Sequence, residues 1–257
     1  MIRVLVVGAA GRMGESLLRG IAAASDLKLG AALEHPVHLR LGAELAPGVK
    51  LGSDPLAACA QADVAVDFSS PSSTLALLDA AESRGLPLVI GTTGLNAADE
   101  ARVARAAARL AIVRAANFSI GVTVLLELVA EAARRLSDYE IEILEMHHDQ
   151  KVDAPSGTAL ALARAAAAVR GQDLERVAVY TREGQTGKRD PRAIGLQSLR
   201  LKDSVGEHTV YFAGAGERIE LAHRALSREN FSAGALRAAR WLVGRPPGLY
   251  AMRDVLG

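Results

Sequence analysis

The chain opens with a strand-forming run, Ile2-Arg3-Val4-Leu5-Val6-Val7, that passes straight into Gly8-Ala9-Ala10-Gly11-Arg12-Met13-Gly14 and then into a helical pattern. A strand followed by a glycine turn and a helix predicts a parallel sheet, since the chain must cross back over the sheet before the next strand can pair. Glycines at 8, 11 and 14 also let the backbone approach a pyrophosphate held at the helix N-terminus. Ala10 takes the place of the middle glycine, so the spacing departs from the usual G-x-G-x-x-G. The context, more than the spacing, points to a dinucleotide site.

The alternation continues. Ile2 to Val7, Leu27 to Leu33, Val64 to Phe68, Leu88 to Ile90 and Ala111 to Val113 read as strands whose unbroken hydrophobicity suits burial on both faces. Helical patterns lie between them at Met13 to Ala24, Ser72 to Arg84 and Ala97 to Ala108, the last with Asn96 as N-cap. This is an α/β, Rossmann-like, doubly wound plan. After Asn117 the pattern changes: a long helix (about Ser119 to Leu136), then strands at Tyr139 to Met146, Val177 to Tyr180, Ser198 to Leu201, Thr209 to Phe212 and Ile219 to Ala222. These predict a second, α+β domain with its own sheet. Thr181 to Gly195 shows no periodicity and reads as a long excursion, mobile or engaged with another subunit. A final helix, about Asn230 to Val243, is expected to return to the first domain.

A chain of 257 residues, half of them hydrophobic, can bury two modest cores. Its net charge of +1 supplies no field to draw it onto nucleic acid or an acidic membrane. Apolar runs such as Ile120 to Leu126 stop at Glu127, short of the roughly 18 residues a spanning helix needs. Met1 leads directly into a strand with no secretory pattern, and the lone Cys59 reads as a small buried hydrophobe in a reducing compartment. The expectation is a soluble protein of the cytoplasm, with neither nucleic acid nor membrane as partner.

The chemistry gathers in the segment from Glu145 to Ala159, E-M-H-H-D-Q-K-V-D-A-P-S-G-T-A. Ser156 after Pro155 predicts a helix N-cap, with Gly157, Thr158 and Ala159 supplying the first free backbone N–H groups. A capping box would need Glu or Gln at 159, so this helix entrance stays neutral and open to a carboxylate. His147 and His148 end a strand, whose alternation sends them to opposite faces, one toward substrate and one to orient it. No cysteine or suitably spaced third ligand accompanies them, which argues against a metal centre. Proton donors beside an anion cradle, in a chain that begins with a dinucleotide pattern, predict reduction of an anionic substrate. Glu34 closes the second strand, where a carboxylate commonly accepts from an adenosine ribose and repels the extra phosphate of NADP. His35 follows it and is mostly neutral near physiological pH, so recognition of that phosphate would need another cation, such as Arg12 or His38, to reach in, and NADH is the expected cofactor over NADPH.

These residues resemble the bacterial dihydrodipicolinate reductase family, also called 4-hydroxy-tetrahydrodipicolinate reductases, of diaminopimelate and lysine biosynthesis. The likeness covers essentially the whole chain: G-A-A-G-R-M-G, Gly91-Thr92-Thr93-Gly94, Ala115-Ala116-Asn117-Phe118-Ser119, the E-x-H-H-x-x-K-x-D-A-P-S-G-T-A segment, Val205-Gly206-Glu207-His208, and Met252-Arg253-Asp254-Val255-Leu256. It implies a nucleotide domain of residues 1–118 plus 229–257 and a substrate-binding and tetramerisation domain of residues 119–228, built on a mixed sheet, in a homotetramer. It implies cofactor contacts at Gly8, Ala9, Ala10, Gly11, Arg12, Met13, Glu34, Gly91, Thr92, Thr93, Ala115, Ala116, Asn117 and Phe118. His147 would be a proton donor or acceptor and Lys151 a proton donor. His148, with Ser156, Gly157 and Thr158, would hold a cyclic dicarboxylate, whose reduction with loss of water yields tetrahydrodipicolinate. Two positions depart from many NADPH-using members, which carry arginine where this chain has His35 and Ser70. A Rossmann dehydrogenase acting on an acyclic amino acid such as aspartate is one rival, opposed by the D-A-P-S-G-T cradle. A nucleotide-sensing regulator that has lost chemistry is another, opposed by intact His147, His148 and Lys151.

Overall fold

The computed structural model describes residues 1–257 and divides into two compact units, Met1–Ile120 with Arg228–Gly257, and Gly121–Ser227. In the first, β1 (Ile2–Val7), β2 (Leu27–Leu33), β3 (Glu44–Ala46), β4 (Val49–Gly52), β5 (Val64–Asp67), β6 (Leu88–Ile90), β7 (Ala111–Arg114) and β13 (Gly248–Tyr250) make one sheet. Its order is β13-β7-β6-β5-β1-β2-β4-β3, parallel throughout except for the β3–β4 hairpin. The order reverses at β1, which pairs with β2 on one side and β5 on the other, so a crevice opens outside the strand C-termini there.

Both faces of this sheet are covered. Val4 and Val6 of β1 pack with α1 (Arg12–Ala23) and α8 (Glu229–Leu242), and Leu5 and Val7 pack on the other face with α2 (Pro55–Cys59), α3 (Pro71–Arg84) and α4 (Ala97–Ala106). Period-two alternation therefore places Val4 to Val7 in one core or the other, which explains the unbroken apolar run. Helix starts follow local chemistry: Ser70 accepts from Ser73 N–H ahead of Pro71, and Asn96 with Asp99 forms a reciprocal capping box. Helix α1 buries Gly14, Leu17 and Ile21, one stripe at helical spacing. The C-terminal helix α9 (Met252–Leu256) buries Met252 and Val255 in the α1–α8 core. Cys59 is a packing residue of the opposite core, and burial pushes its thiol up to about 11.

The second unit carries α5 (Ile120–Arg135), β8 (Glu140–His147), α6 (Gly157–Val169), α7 (Leu174–Val177), β9 (Ala178–Val179), β10 (Ile194–Arg200), β11 (Gly206–Ala213) and β12 (Arg218–Ala225). The sheet order is β12-β11-β8-β10-β9, antiparallel across β12-β11-β8 and parallel across β8-β10-β9, a mixed sheet. Ile141 and Ile143 of β8 face Ala159, Leu162, Ala163 and Ala166 of α6, where alanines let the helix lie close to the strands.

Two sequence expectations change in extent, and a short hairpin and β13 are new. The strand expected from Val177 to Tyr180 shrinks to two residues, because Asp173 caps a short helix that takes Val177. The excursion ends at Ala193 with β10 already begun at Ile194, and its Arg182 and Arg189 bind the Glu142 carboxylate of the same chain at 2.8 to 3.0 Å. The β3–β4 hairpin and β13 are too short for periodicity to reveal, and the hairpin turns on Pro47-Gly48 with Gly48 at φ +75°.

Candidate active site

In the first unit, the residues matched to cofactor contact all follow strand C-termini. Gly8 and Ala9 donate to the Leu33 carbonyl at 3.0 Å, Gly91 to the Asp67 carbonyl at 2.8 Å and Ala115 to that of Ile90 at 3.2 Å, tying the ends of β1, β2, β5, β6 and β7 together. The glycines are sterically required: a Cβ at Gly14 would lie 2.2 Å from the Gly8 carbonyl oxygen, and one at Gly91 would strike the Phe68 ring at the same distance. Helix α1 starts at Gly11 with no side-chain cap, so Arg12 and Met13 open the helix with uncapped amides beside the glycine turn. Glu34 stands just beyond β2, accepting from Ala10 N–H and His35 N–H, both at 3.0 Å. A carboxylate has roughly four acceptor sites, so capacity for a ribose remains. This is a donor and acceptor set that fits a dinucleotide.

The buried Asp67 organises the other side of this end of the sheet. Its carboxylate accepts from Ser69 and Thr74, and Thr92 Oγ1 accepts from Ser69 N–H at 3.0 Å. Burial pushes the Asp67 carboxyl above its ordinary range, against the pull of these donors. Thr93 and Ala116 are more open, Asn117 Oδ1 accepts from Ser119 N–H at 2.8 Å, and Phe118 is a core residue set edge-on to Phe68 with ring centroids 5.4 Å apart.

In the second unit the 145–159 segment forms one connected network. Along β8 the inward positions run Ile141, Ile143, Glu145, His147, so the apolar stripe ends in a buried carboxylate and an imidazole. His147 Nδ1 bonds Glu145 Oε2, and Arg200 Nη1 donates to Glu145 Oε1 at 3.1 Å. Burial would raise the Glu145 carboxyl, but the bond from His147, with those from Ser198 and Arg200, overcomes this and brings it down to about 2. An ionised carboxylate only accepts, so His147 Nδ1 carries a proton and Nε2 is the ring nitrogen not committed to Glu145. That edge faces Gly206, where an added Cβ would sit 3.0 Å from Nε2.

Lys151 Nζ donates to both Asp153 oxygens at 2.8 and 2.9 Å, and Arg200 Nη2 donates to the Asp153 carbonyl at 2.7 Å. Ser156 caps α6, as expected, but in doing so takes the Ala159 N–H at 3.1 Å, one of the three amides that the sequence leaves free. The entrance of α6 is thus Gly157 and Thr158. His208 Nε2 lies 3.1 Å from Ser156 Oγ, and burial first, then the neighbouring His147, hold His208 down to about 4, a neutral ring at physiological pH. His148, just past the strand end, has a buried Nδ1 with no partner in the protein.

Glu145, Arg200, Asp153 and His208 are members of this network that sequence reasoning misses as functional residues. A signal for Glu145 exists: alternation from Ile141 and Ile143 puts it inward, and a buried carboxylate needs partners. Those partners come from β10 and β11, which only register brings alongside: Arg200 opposite His147, and His208 opposite Glu145. Glu145, His147 and His208 hold ligand-type atoms within 4.8 Å of one another; the Arg200 cation on the same carboxylate makes this a charge-compensated hydrogen-bond cluster. Local spacing offers no third ligand-type residue beside the histidine pair, and His208 supplies one from another strand.

Comparison with known proteins gives the family of both halves of the chain. The family described as Dihydrodipicolinate reductase, N-terminus matches residues 2–118, and Dihydrodipicolinate reductase, C-terminus matches residues 121–256. A 4-hydroxy-tetrahydrodipicolinate reductase of Thiobacillus denitrificans is 51% identical over 263 residues, covering 100% of this chain and 98% of that one. One from Anaeromyxobacter sp. is 50% identical, again covering 100% and 98%. Among solved structures, a dipicolinate-bound dihydrodipicolinate reductase from Paenisporosarcina sp. TG-14 superposes with a TM-score of 0.80 at 25% identity, covering 98% of this chain and 97% of that one. A probable dehydrogenase from Thermotoga maritima, at 16% identity and a TM-score of 0.64, shares the fold and covers 99% of this chain and 92% of that one. With both halves matched and half of all residues identical over the full length, the chain belongs to the dihydrodipicolinate reductase family.

Proposed function

We propose that this protein reduces 4-hydroxy-tetrahydrodipicolinate to tetrahydrodipicolinate with loss of water, using NAD(P)H, in diaminopimelate and lysine biosynthesis. The observation that carries the reading is the network His147–Glu145–Arg200–Asp153–Lys151 beside the entrance of α6. A cyclic dicarboxylate needs cations and N–H donors, and addition of hydride to an unsaturated ring must be balanced by a proton. Gly157 and Thr158 at the α6 entrance, with Ser156 and His148, would hold a substrate carboxylate. His147, with Nδ1 committed to Glu145, presents Nε2 for proton transfer, and Lys151 supplies a second donor. Gly8 to Met13, Glu34, Gly91 to Thr93 and Ala115 to Phe118 would hold the dinucleotide, whose reduced nicotinamide supplies the hydride when bound.

The cofactor preferred in this reading is NADH. Glu34 leaves a negative charge where a 2′-phosphate would come, His35 follows it, and the nearby Arg40 already pairs with Glu15 at 3.3 Å. We also read the protein as a homotetramer acting in the cytoplasm on a small molecule alone. The tetramer is supported by half-exposed Leu199, Leu201 and Ile219 on and beside the five-stranded sheet, and the compartment by the single free thiol. No helix is long and apolar enough to cross a membrane.

The test mixes the protein with NADH or NADPH and the condensation product of pyruvate and aspartate semialdehyde, made in situ. Cofactor oxidation that depends on the condensing enzyme is the expected outcome. Well-folded protein that binds NADH yet oxidises none would favour the regulator reading.

A further inference from the structure

The carboxylate behind His147 belongs to a residue that no substrate or cofactor needs to touch. Glu145 is 1% exposed, and all its partners are side chains of the same unit. Its two oxygens are divided: Oε2 faces His147 Nδ1, and Oε1 faces Arg200 at 3.1 Å. Arg200 then extends to the Asp153 carbonyl at 2.7 Å, and the Asp153 carboxylate grips Lys151. The guanidinium thus joins the support of one proton-bearing side chain to the support of the other.

We propose that Glu145, clamped by Arg200, is the positioning residue of this site: it fixes the His147 ring with Nδ1–H inward and Nε2 toward Gly206, and keeps the ring a ready proton donor. The proposal rests on the reading of His147 as that donor. In the step it serves, the Nε2 proton passes to the substrate atom that must gain it, the imidazolium becomes neutral imidazole, and Nδ1–H stays on Glu145. An ionised carboxylate can only accept from Nδ1–H, so the ring keeps one orientation and one tautomer while Nε2 gives up its proton. The charged and titratable groups around the ring are Glu145 on its own strand, Arg200 on β10, His208 on β11 with His223 opposite it on β12, and Lys151 in the loop that follows β8. His208 is held neutral by burial. The fixed charges nearest the ring are therefore the Glu145 carboxylate and, of opposite sign, Arg200 and Lys151.

This gives two variants with opposite signs. Glu145→Gln should lower kcat by about 100-fold, in the range general acid–base groups supply, with KM and NADH affinity within about twofold. The alkaline limb of its kcat/KM profile should move to lower pH. Arg200→Gln leaves the carboxylate and removes a cation, so its alkaline limb should move to higher pH, with a smaller loss of kcat. A purely structural role would move neither limb. An independent readout uses histidine-labelled protein without substrate: the His147 Nδ1–H proton resonance, assigned by its loss in His147→Gln, should lie far downfield in the wild type and shift upfield in Glu145→Gln. Because that signal needs no turnover, it tests the proposal even if the reduction assay fails. Folded Glu145→Gln with an unmoved resonance and an unmoved limb would overturn it, as would equal shifts of the same sign in both variants. If Glu145→Gln does not fold, a limb in Arg200→Gln that stays put or moves to lower pH overturns it, and one that moves to higher pH supports it.

Discussion

Asp153 holds Lys151 with both carboxylate oxygens, at 2.8 and 2.9 Å from Nζ, while the lysine stem is largely covered and the aspartate more than half exposed. An ion pair so open to water stabilises the fold by about 0 to 1 kcal/mol, so in the proposed function its part is to aim the ammonium. Lys151→Ala is expected to lower turnover by about 100-fold or more, with NADH affinity within about twofold and little change in melting temperature. Asp153→Asn should lower turnover less, by about tenfold. Steady-state kinetics with equilibrium NADH titration checks both; loss of NADH affinity in Lys151→Ala would contradict separate cofactor and substrate sites.

Gly206 leaves the Nε2 edge of His147 open, since a Cβ there would come to 3.0 Å of that nitrogen and 3.4 Å of the adjoining ring carbon. Gly206→Ala should cut kcat/KM by about tenfold or more, through displacement of the ring, and cost about 1 to 3 kcal/mol as an overpacking change. Activity equal to wild type in this variant would mean that the ring works through another edge.

Stability of the second unit should fall in two stages on acidification. His208 is lowered from its ordinary 6.5 to about 4, chiefly by burial. The unfolded chain therefore binds a proton that the folded one refuses, and stability present above pH 6.5 is lost as pH falls from 6.5 to about 4. Glu145, down from 4.5 to about 2, contributes stability above pH 4.5 that is lost as pH falls toward 2. A full one-proton difference changes stability by about 1.4 kcal/mol per pH unit. His208→Gln should flatten the upper stage and leave the lower one, in chemical denaturation followed across pH; an unchanged slope over the upper stage would show that the buried ring does not titrate with unfolding.

His35 follows the Glu34 carboxylate, whose oxygens are bound to the Ala10 and His35 amides. His35→Arg places a permanent cation beside the position where a 2′-phosphate would approach. The expected result is a KM for NADPH lowered about tenfold, with KM for NADH within about threefold, in the coupled assay. A wild-type protein that already favours NADPH strongly would refute the reading of this loop.

Much of the first unit was legible in the sequence because its information is local. Apolar runs, the Asn96 cap, and glycines at 8, 11 and 14 each act within a few residues, and the helices and strands they define recur close to their expected ends. Short elements without periodicity, the β3–β4 hairpin, α7 and β13, escaped for the same reason. In the second unit the sequence determined the Ser156 cap and the strand end at His147, as well as the family. Only the tertiary structure decided what those groups meet. Arg200 lies 55 residues along the chain from Glu145, and His208 lies 52 from Ser156. No local spacing reveals such partners, because strand register alone sets Arg200 opposite His147 and His208 opposite Glu145 at the end of β8. Strand pairing between distant segments depends on the whole core beneath it, so the side chains of the His147 hydrogen-bond network become neighbours only once Ile141, Ile143 and α6 have packed.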